Sequence, residues 1–235
     1  MTNVSTTLSL AHIDRCFVFG DIHGCLTALE VIWHHIQPTM RDRVICLGDY
    51  IDRGPDSKGV IDFLIDAQTQ TQLTCLLGNH EQMLLDCDAD PELWTYWCKY
   101  GGQIALASYD YDEVPVEIGL DFLPASHRAF LQQLLPYAES ERYLFSHACP
   151  VMNKALGDHD INELRWARNI STQPHQSGKT AIFGHMSQQS GRVLCAGPHR
   201  CVDTSMSGWI SCLELGRQQV HQGNQWGQYR TDLLN

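Results

Sequence analysis

Five times in this sequence an apolar run ends in a small residue, and a side chain able to bind a cation follows at once. The five are Phe17-Val18-Phe19-Gly20-Asp21, Ile45-Cys46-Leu47-Gly48-Asp49, Cys75-Leu76-Leu77-Gly78-Asn79, Tyr143-Leu144-Phe145-Ser146-His147 and Ala181-Ile182-Phe183-Gly184-His185, and His23 stands two residues beyond Asp21. One such residue reads as a turn or a helix cap. Five repeats of strand, small residue and donor point to a shared site. The donors Asp21, His23, Asp49, Asn79, His147 and His185 are all oxygen or nitrogen, without thiolate. That set suits Mn, Fe, Zn or Ni better than a structural cysteine zinc site. Six donors are too many for one catalytic ion that keeps an open position. They match two ions sharing a carboxylate, roughly 3.5–4 Å apart, which clamp the attacking and leaving oxygens of an in-line displacement. A water shared by such ions is acidified, since even a single zinc brings a bound water to a pKa of about 7.

The neighbours of these donors supply the rest of a phosphoryl-transfer site. Arg53 follows Asp49 by four residues, and its planar fork matches phosphate bidentately. His80, next to Asn79, is placed to act as a general acid. Asp52 is placed to orient that imidazole and raise its pKa, or to pair with Arg53 in an ordinary turn salt bridge.

The elements needed to position them are legible. Cys16–Phe19 reads as a strand. Leu26, Leu29, Ile32, Trp33 and Ile36 then recur at helical spacing as far as Pro38. A second strand ends at Leu47, and a second helix carries Val60, Ile61, Leu64 and Ile65 with a cap near Asp56 or Ser57. Leu73–Leu77 is the third strand. Strand and helix alternating over residues 16–81 predict a largely parallel sheet with right-handed crossovers. Residues 83–124 carry Trp94, Tyr96, Trp97 and Tyr100, a Gly101-Gly102 break and an acidic loop, and read as a helical cap insertion whose aromatics are mostly core. A helix starts at Ser126, a short one spans Asn162 to Ile170, and the last part is β-rich, with Val193, Val202 and Ile210–Leu215 in a meander.

The 235 residues predict a single domain with a polar arm over residues 1–12. A formal net charge of −11 argues against a nucleic-acid or anionic-membrane binder, although a local cation cluster still admits a small phosphorylated group. No stretch has the length of a membrane span and no secretory leader is evident, so a cytoplasmic location is expected. The ten cysteines lack a C-x-x-C pair and many lie in apolar runs, which fits reduced, buried thiols.

Gly20-Asp21-Ile22-His23-Gly24, Gly48-Asp49-Tyr50-Ile51-Asp52-Arg53-Gly54 and Gly78-Asn79-His80-Glu81, in this order, closely resemble the three signature motifs of calcineurin-like metallophosphoesterases, and within them the phosphoprotein phosphatases. The continuation Gln82-Met83 and the later Trp166-Ala167-Arg168 resemble the lambda-type bacterial and phage protein phosphatases. The resemblance spans roughly residues 15–215. It implies Asp21, His23 and Asp49 on a first metal, and Asp49, Asn79, His147 and His185 on a second, with Asp49 bridging. It implies Arg53 and Arg168 as phosphate clamps, with Arg165 a competitor for the second place, and His80 paired with Asp52 as general acid. It also implies an α/β fold: a four-layer α/β/β/α sandwich of two mixed sheets with a helical cap insertion. Met186-Ser187 after His185, and Ser205 after Val202-Asp203-Thr204, depart from the family pattern without removing a ligand.

The expected activity is that of a dinuclear, manganese-type protein serine/threonine phosphatase, extending to phosphotyrosine, with a phosphorylated protein or peptide as substrate. Metal-bound hydroxide would attack phosphorus in line. The alternatives are a symmetrical diadenosine tetraphosphatase using the same chemistry, and a metal- or phosphoprotein-binding module without catalysis.

Overall fold

The apolar runs become the strands whose ends carry the donors. The computed structural model describes residues 6–111 and 119–234. In one six-stranded sheet, β2 (Cys16–Phe19), β3 (Arg43–Cys46) and β4 (Gln72–Cys75) run parallel, and β10 (Trp209–Glu214), β11 (Gln219–Asn224) and β12 (Tyr229–Leu233) extend it antiparallel from β2. The other sheet has the order β1 (Thr6–Thr7), β5 (Tyr137–Glu139), β6 (Tyr143–Ser146), β7 (Thr180–Phe183), β9 (His199–Cys201) and β8 (Leu194–Ala196), with β6, β7 and β9 parallel.

Strand alternation explains the two faces. Phe17 and Phe19 of β2 pack with Leu29 and Ile32 on the helical side. Val18 joins Ile45, Phe145, Ile182 and Leu213 in the core between the sheets. Because both faces of the central strands are buried, they read as unbroken apolar runs rather than alternating ones.

Six helices pack against the first sheet or its flank: α1 (Leu26–Ile36), α2 (Ser57–Ala67), α3 (Asn79–Ala89), α4 (Leu93–Trp97), α5 (Gln103–Ser108) and α6 (Ala125–Gln132). Gln37 ends α1 in the left-handed region, at φ 43°, just before Pro38. Asp56 caps α2, accepting from the Gly59 N–H at 2.7 Å. Outside the second sheet, Leu144, Ala181 and Phe183 lie under Leu156 and Leu164. The fourth layer is therefore present but thin: one 3-10 turn, Leu156–Asp158, and the four-residue α7 (Glu163–Trp166). The helix expected as far as Ile170 stops early because Ala167 turns extended, at ψ 125°.

Three further differences are local. Where the sequence suggests a polar arm over residues 1–12, Thr6–Thr7 pair with β5, and Leu8 is buried between the sheets with its N–H bonded to Glu139. The third strand ends at Cys75 rather than Leu77, since Leu77 N–H turns to the Leu135 carbonyl. In the insertion, Trp94 and Trp97 are fully buried while Tyr96 and Tyr100 are exposed, so its aromatics divide between core and surface. Residues 112–118, which include most of the expected acidic loop, lie outside the described residues. No helix among the described residues is long and apolar enough to cross a membrane.

Candidate active site

The C-terminal ends of β2, β3 and β4 in one sheet and of β6 and β7 in the other meet at one rim, and the six candidate donors meet there with them. Asp49 is at the centre. Its Oδ2 lies 3.6 Å from His23 Nε2 and 3.9 Å from His80 Nε2, while Oδ1 lies 3.4 Å from His147 Nε2. Asn79 Oδ1 is 2.9 Å from both His147 Nε2 and His185 Nδ1. Asp21 Oδ2 is 3.9 Å from His23 Nε2, and Asp21 Oδ1 accepts from the His185 backbone N–H at 3.1 Å. Two groups of three donors result, His23–Asp49–His80 and Asp49–His147–His185, and they share Asp49.

The glycines before Asn79 and His185 now have a reason. A Cβ on Gly78 would sit 2.2 Å from Asp49 Oδ1, and one on Gly184 would sit 2.2 Å from Asp21 Oδ1. The loops carrying the donors touch, and a side chain there would push them apart. Backbone strain gathers at the same rim. His23, Asp49, Asp52, Arg53 and His185 all have φ between 46° and 72°, and they are five of the nine non-glycine residues with positive φ among the described residues. Such conformations are costly and concentrate where structure is held for function.

The electrostatics favour bound cations. Asp21, Asp49, Asp52, Glu81 and Asp203 are all buried, and buried carboxylates persist as ions only when compensated. Burial, together with neighbouring Asp203, pushes Asp21 well above the usual carboxylate range. Burial acts the same way on Asp49, but His147 and His80 outweigh it and hold Asp49 well below that range. Burial lowers His23 to about 4 and His185 to about 3, so both are neutral at neutral pH, the form in which an imidazole can bind a cation. His23 Nδ1 faces the Ile51 carbonyl at 2.9 Å, which fixes the tautomer that turns the Nε2 lone pair inward. At His147, burial lowers the pKa but Asp49 outweighs it, and the net shift is upward. The Arg53 guanidinium already caps two of the imidazoles, with Nη1 2.9 Å from His23 Nε2 and Nη2 2.9 Å from His80 Nε2. Positive charge is directed at those lone pairs by the protein's own arginine. The donor set therefore fits a pair of divalent ions.

Beside it, His80 Nδ1 is 2.6 Å from Asp52 Oδ2, and Trp97 Nε1 donates to the same oxygen at 2.8 Å. The expected rise in the His80 pKa is not found. Burial dominates, lowering His80 to about 4 and pushing Asp52 up. Arg168 is exposed and close enough to His185 to lower its pKa, whereas Arg165 is fully buried and donates through Nη1 to Gln82. A buried guanidinium cannot meet a substrate at the rim, so Arg168 is the better candidate for a clamp.

The model of the calcineurin-like phosphoesterases matches residues 15–173, which takes in the donor loops of β2, β3, β4 and β6. The chain belongs to the calcineurin-like phosphoesterase family. It is 39% identical over 87 residues to serine/threonine-protein phosphatase 1 of Salmonella typhimurium, covering 37% of this chain and 38% of that one. It is 28% identical over 187 residues to serine/threonine-protein phosphatase 2 of Escherichia coli, covering 74% and 81%. Over 70 residues it is 34% identical to a symmetrical bis(5'-nucleosyl)-tetraphosphatase of Pseudomonas syringae pv. tomato, covering 29% and 23%. The first of these relatives is thus matched over well under half of its length. A crystal structure provisionally described as a diadenosine tetraphosphatase superposes with a TM-score of 0.67 at 19% identity, covering 98% of both chains, which is a likeness of fold.

Within this calcineurin-like frame, three residues have roles that the motif spacing left unassigned. Glu81 accepts four backbone N–H groups, from Gly78 (3.1 Å), Asp49 (2.8 Å), Tyr50 (2.7 Å) and Ile51 (3.2 Å), and so ties the Asp49 loop to the start of α3. Its place in Gly-Asn-His-Glu was the available signal. Asp203, near enough to Asp21 to raise its pKa, was signalled only by the Val202-Asp203-Thr204 stretch. Trp97, 45 residues from Asp52, carried no signal at all. The two departures from the family pattern meet. Ser205 donates its N–H and hydroxyl to Asp203 Oδ1, both at 2.8 Å, and its Oγ lies 3.4 Å from Ser187 Oγ.

Proposed function

We propose that this protein is a metal-dependent phosphomonoesterase acting on phosphoserine and phosphothreonine in proteins or peptides, with phosphotyrosine as a further substrate. The observation that carries it is Asp49, one carboxylate shared by two donor groups and flanked by Arg53 and the His80–Asp52 pair. Similarity to the bacterial serine/threonine phosphatases supports the choice of substrate, because the match to the Escherichia coli protein extends over 74% of the chain.

We assign Asp21, His23 and Asp49 to one divalent ion and Asp49, Asn79, His147 and His185 to the other, and of the manganese, iron, zinc and nickel that an oxygen-and-nitrogen set suits we favour manganese. The ions, when bound, supply an acidified water as nucleophile and neutralise charge on the phosphoryl group. The chain's own residues do the rest. Arg53 turns its fork from the two imidazoles to the equatorial phosphoryl oxygens, and exposed Arg168, near His185, adds a second guanidinium to them. That movement frees His80 Nε2, which takes a proton from solvent water and delivers it to the leaving oxygen, returning to the neutral imidazole. Asp52 stabilises the imidazolium as it forms. Buried thiols in the strands, such as Cys16, Cys46, Cys75 and Cys212, support a reducing, cytoplasmic setting.

The similarity to symmetrical tetraphosphatases favours one second reading, hydrolysis of a dinucleoside polyphosphate by the same residues. Initial rates on a phosphothreonine peptide and on diadenosine tetraphosphate, with manganese added and bound metal measured by elemental analysis, separate the two. Preference for the peptide is expected, and clear preference for the dinucleotide overturns the protein-phosphatase reading.

A further inference from the structure

A groove leaves the candidate site on the side of His23 and Arg53. Its inner part, about 290 Å³, is walled by Cys25, Ala28 and Pro55 on one side and by Met206 and Ile210 on the other. Across Cys25, Pro55 and Gln225 it continues into a second hollow of about 310 Å³ that ends at Trp226. Met206 and Trp226 are 66% and 72% exposed, an unusual display of large apolar side chains on either bank. Met206 is held in place, because its backbone N–H donates to Ser187 Oγ at 2.9 Å, and Ser187 in turn contacts Ser205. The two serines that depart from the family pattern thus build the loop that presents this methionine.

We propose that this groove is a specificity subsite that receives a bulky apolar side chain flanking the phosphorylated residue of a peptide substrate. The inference rests on the phosphatase reading above and adds a sequence preference to it. Continuity is the first ground: His23 and Arg53, which line the groove's inner end, belong to the candidate site, so a peptide whose phosphate reaches Arg53 can lay a neighbouring residue along it. Charge is the second. Beyond Arg53 the lining residues include no lysine or arginine, and the outer end carries Asp56. A dinucleotide polyphosphate would bring further phosphates that find no cation there, and an acidic peptide would meet Asp56 and a chain of net charge −11. An apolar side chain loses water against Cys25, Pro55 and Met206 at no electrostatic cost.

The test uses the manganese-loaded protein and phosphothreonine peptides in which each flanking position in turn is Ala, Leu, Phe or Glu. At one position, Leu or Phe should raise kcat/KM over Ala by about tenfold, and Glu should lower it. Met206→Asp and Trp226→Ser should erase that discrimination while leaving the rate on nitrophenyl phosphate unchanged. Calorimetric Kd values for the same peptides read the groove without turnover. If nitrophenyl phosphate is not hydrolysed but Kd still ranks Leu and Phe over Ala in the parent and not in the variants, the subsite stands and the catalytic reading falls. Unchanged discrimination in both variants, or loss of diadenosine tetraphosphate binding in place of peptide discrimination, overturns the subsite.

Discussion

The indole N–H of Trp97 donates to Asp52 Oδ2 across 2.8 Å, on the oxygen that also faces His80 Nδ1 at 2.6 Å. The insertion between α3 and α6 thereby reaches into the proposed acid pair, and it touches the clamp as well, through the Arg53 N–H on the Gly101 carbonyl at 3.3 Å. Trp97→Phe keeps the ring and removes the donor. Turnover of a phosphoserine peptide should fall about tenfold, the scale of one hydrogen bond to a charged group, while hydrolysis of nitrophenyl phosphate and metal content hold. Equal losses on both substrates would reduce Trp97 to a packing residue.

Asp49→Asn should abolish both metal retention and turnover, since one substitution weakens both donor groups at once. Elemental analysis after dialysis, beside rates on nitrophenyl phosphate, checks it. Retention of one equivalent with partial activity would remove Asp49 from the shared position.

His80→Asn should keep metal and lose about a hundredfold or more on alkyl phosphates, and least on nitrophenyl phosphate, whose leaving oxygen hardly needs a proton. A loss independent of leaving group would mean that His80 acts as a third ligand beside His23 and Asp49, to which its Nε2 is near enough.

Glu81→Gln replaces an acceptor of four backbone N–H bonds with a group that is half donor. Stability in urea should drop by about 3 kcal/mol, and metal affinity should fall with it as the Asp49 loop loosens. Wild-type unfolding midpoints and metal content would show that the four bonds are not needed.

At His23 and His185 acid should act late. Both are lowered by burial, to about 4 and 3, so the neutral form persists as pH falls through the ordinary histidine range near 6.5 and is lost only as pH approaches those lower values. Their imidazole NMR signals, followed in steps from pH 7 to pH 4, should hold to about pH 5. A midpoint near pH 6.5 for either ring would show that it titrates unperturbed.

Much of the site was legible in the chain because its logic is local. A strand buried on both faces must be an apolar run, and the residue after it must lie at the rim, so Asp21, Asp49, Asn79, His147 and His185 could be picked out one by one. Alternation of strand and helix to residue 81 then required a parallel sheet. Less local features were misjudged. Leu73–Leu77 overran into a contact with Leu135, and Thr6–Leu8 read as polar chain although a partner strand captures it.

The sequence by itself determined the donor types, their order and the fold class, because each depends on periodicity and on residues adjacent along the chain. Only the tertiary structure decided that Asp49 stands between two donor groups, that Arg165 is buried while Arg168 is exposed, and that Trp97 bonds Asp52. These are contacts between loops tens of residues apart. They are fixed by how two sheets pack and how closely glycine-bearing turns approach, which no local pattern encodes. Burial, too, belongs to the fold: the same histidines would titrate near 6.5 in an open chain, and the packed rim alone lowers His23 to about 4 and His185 to about 3.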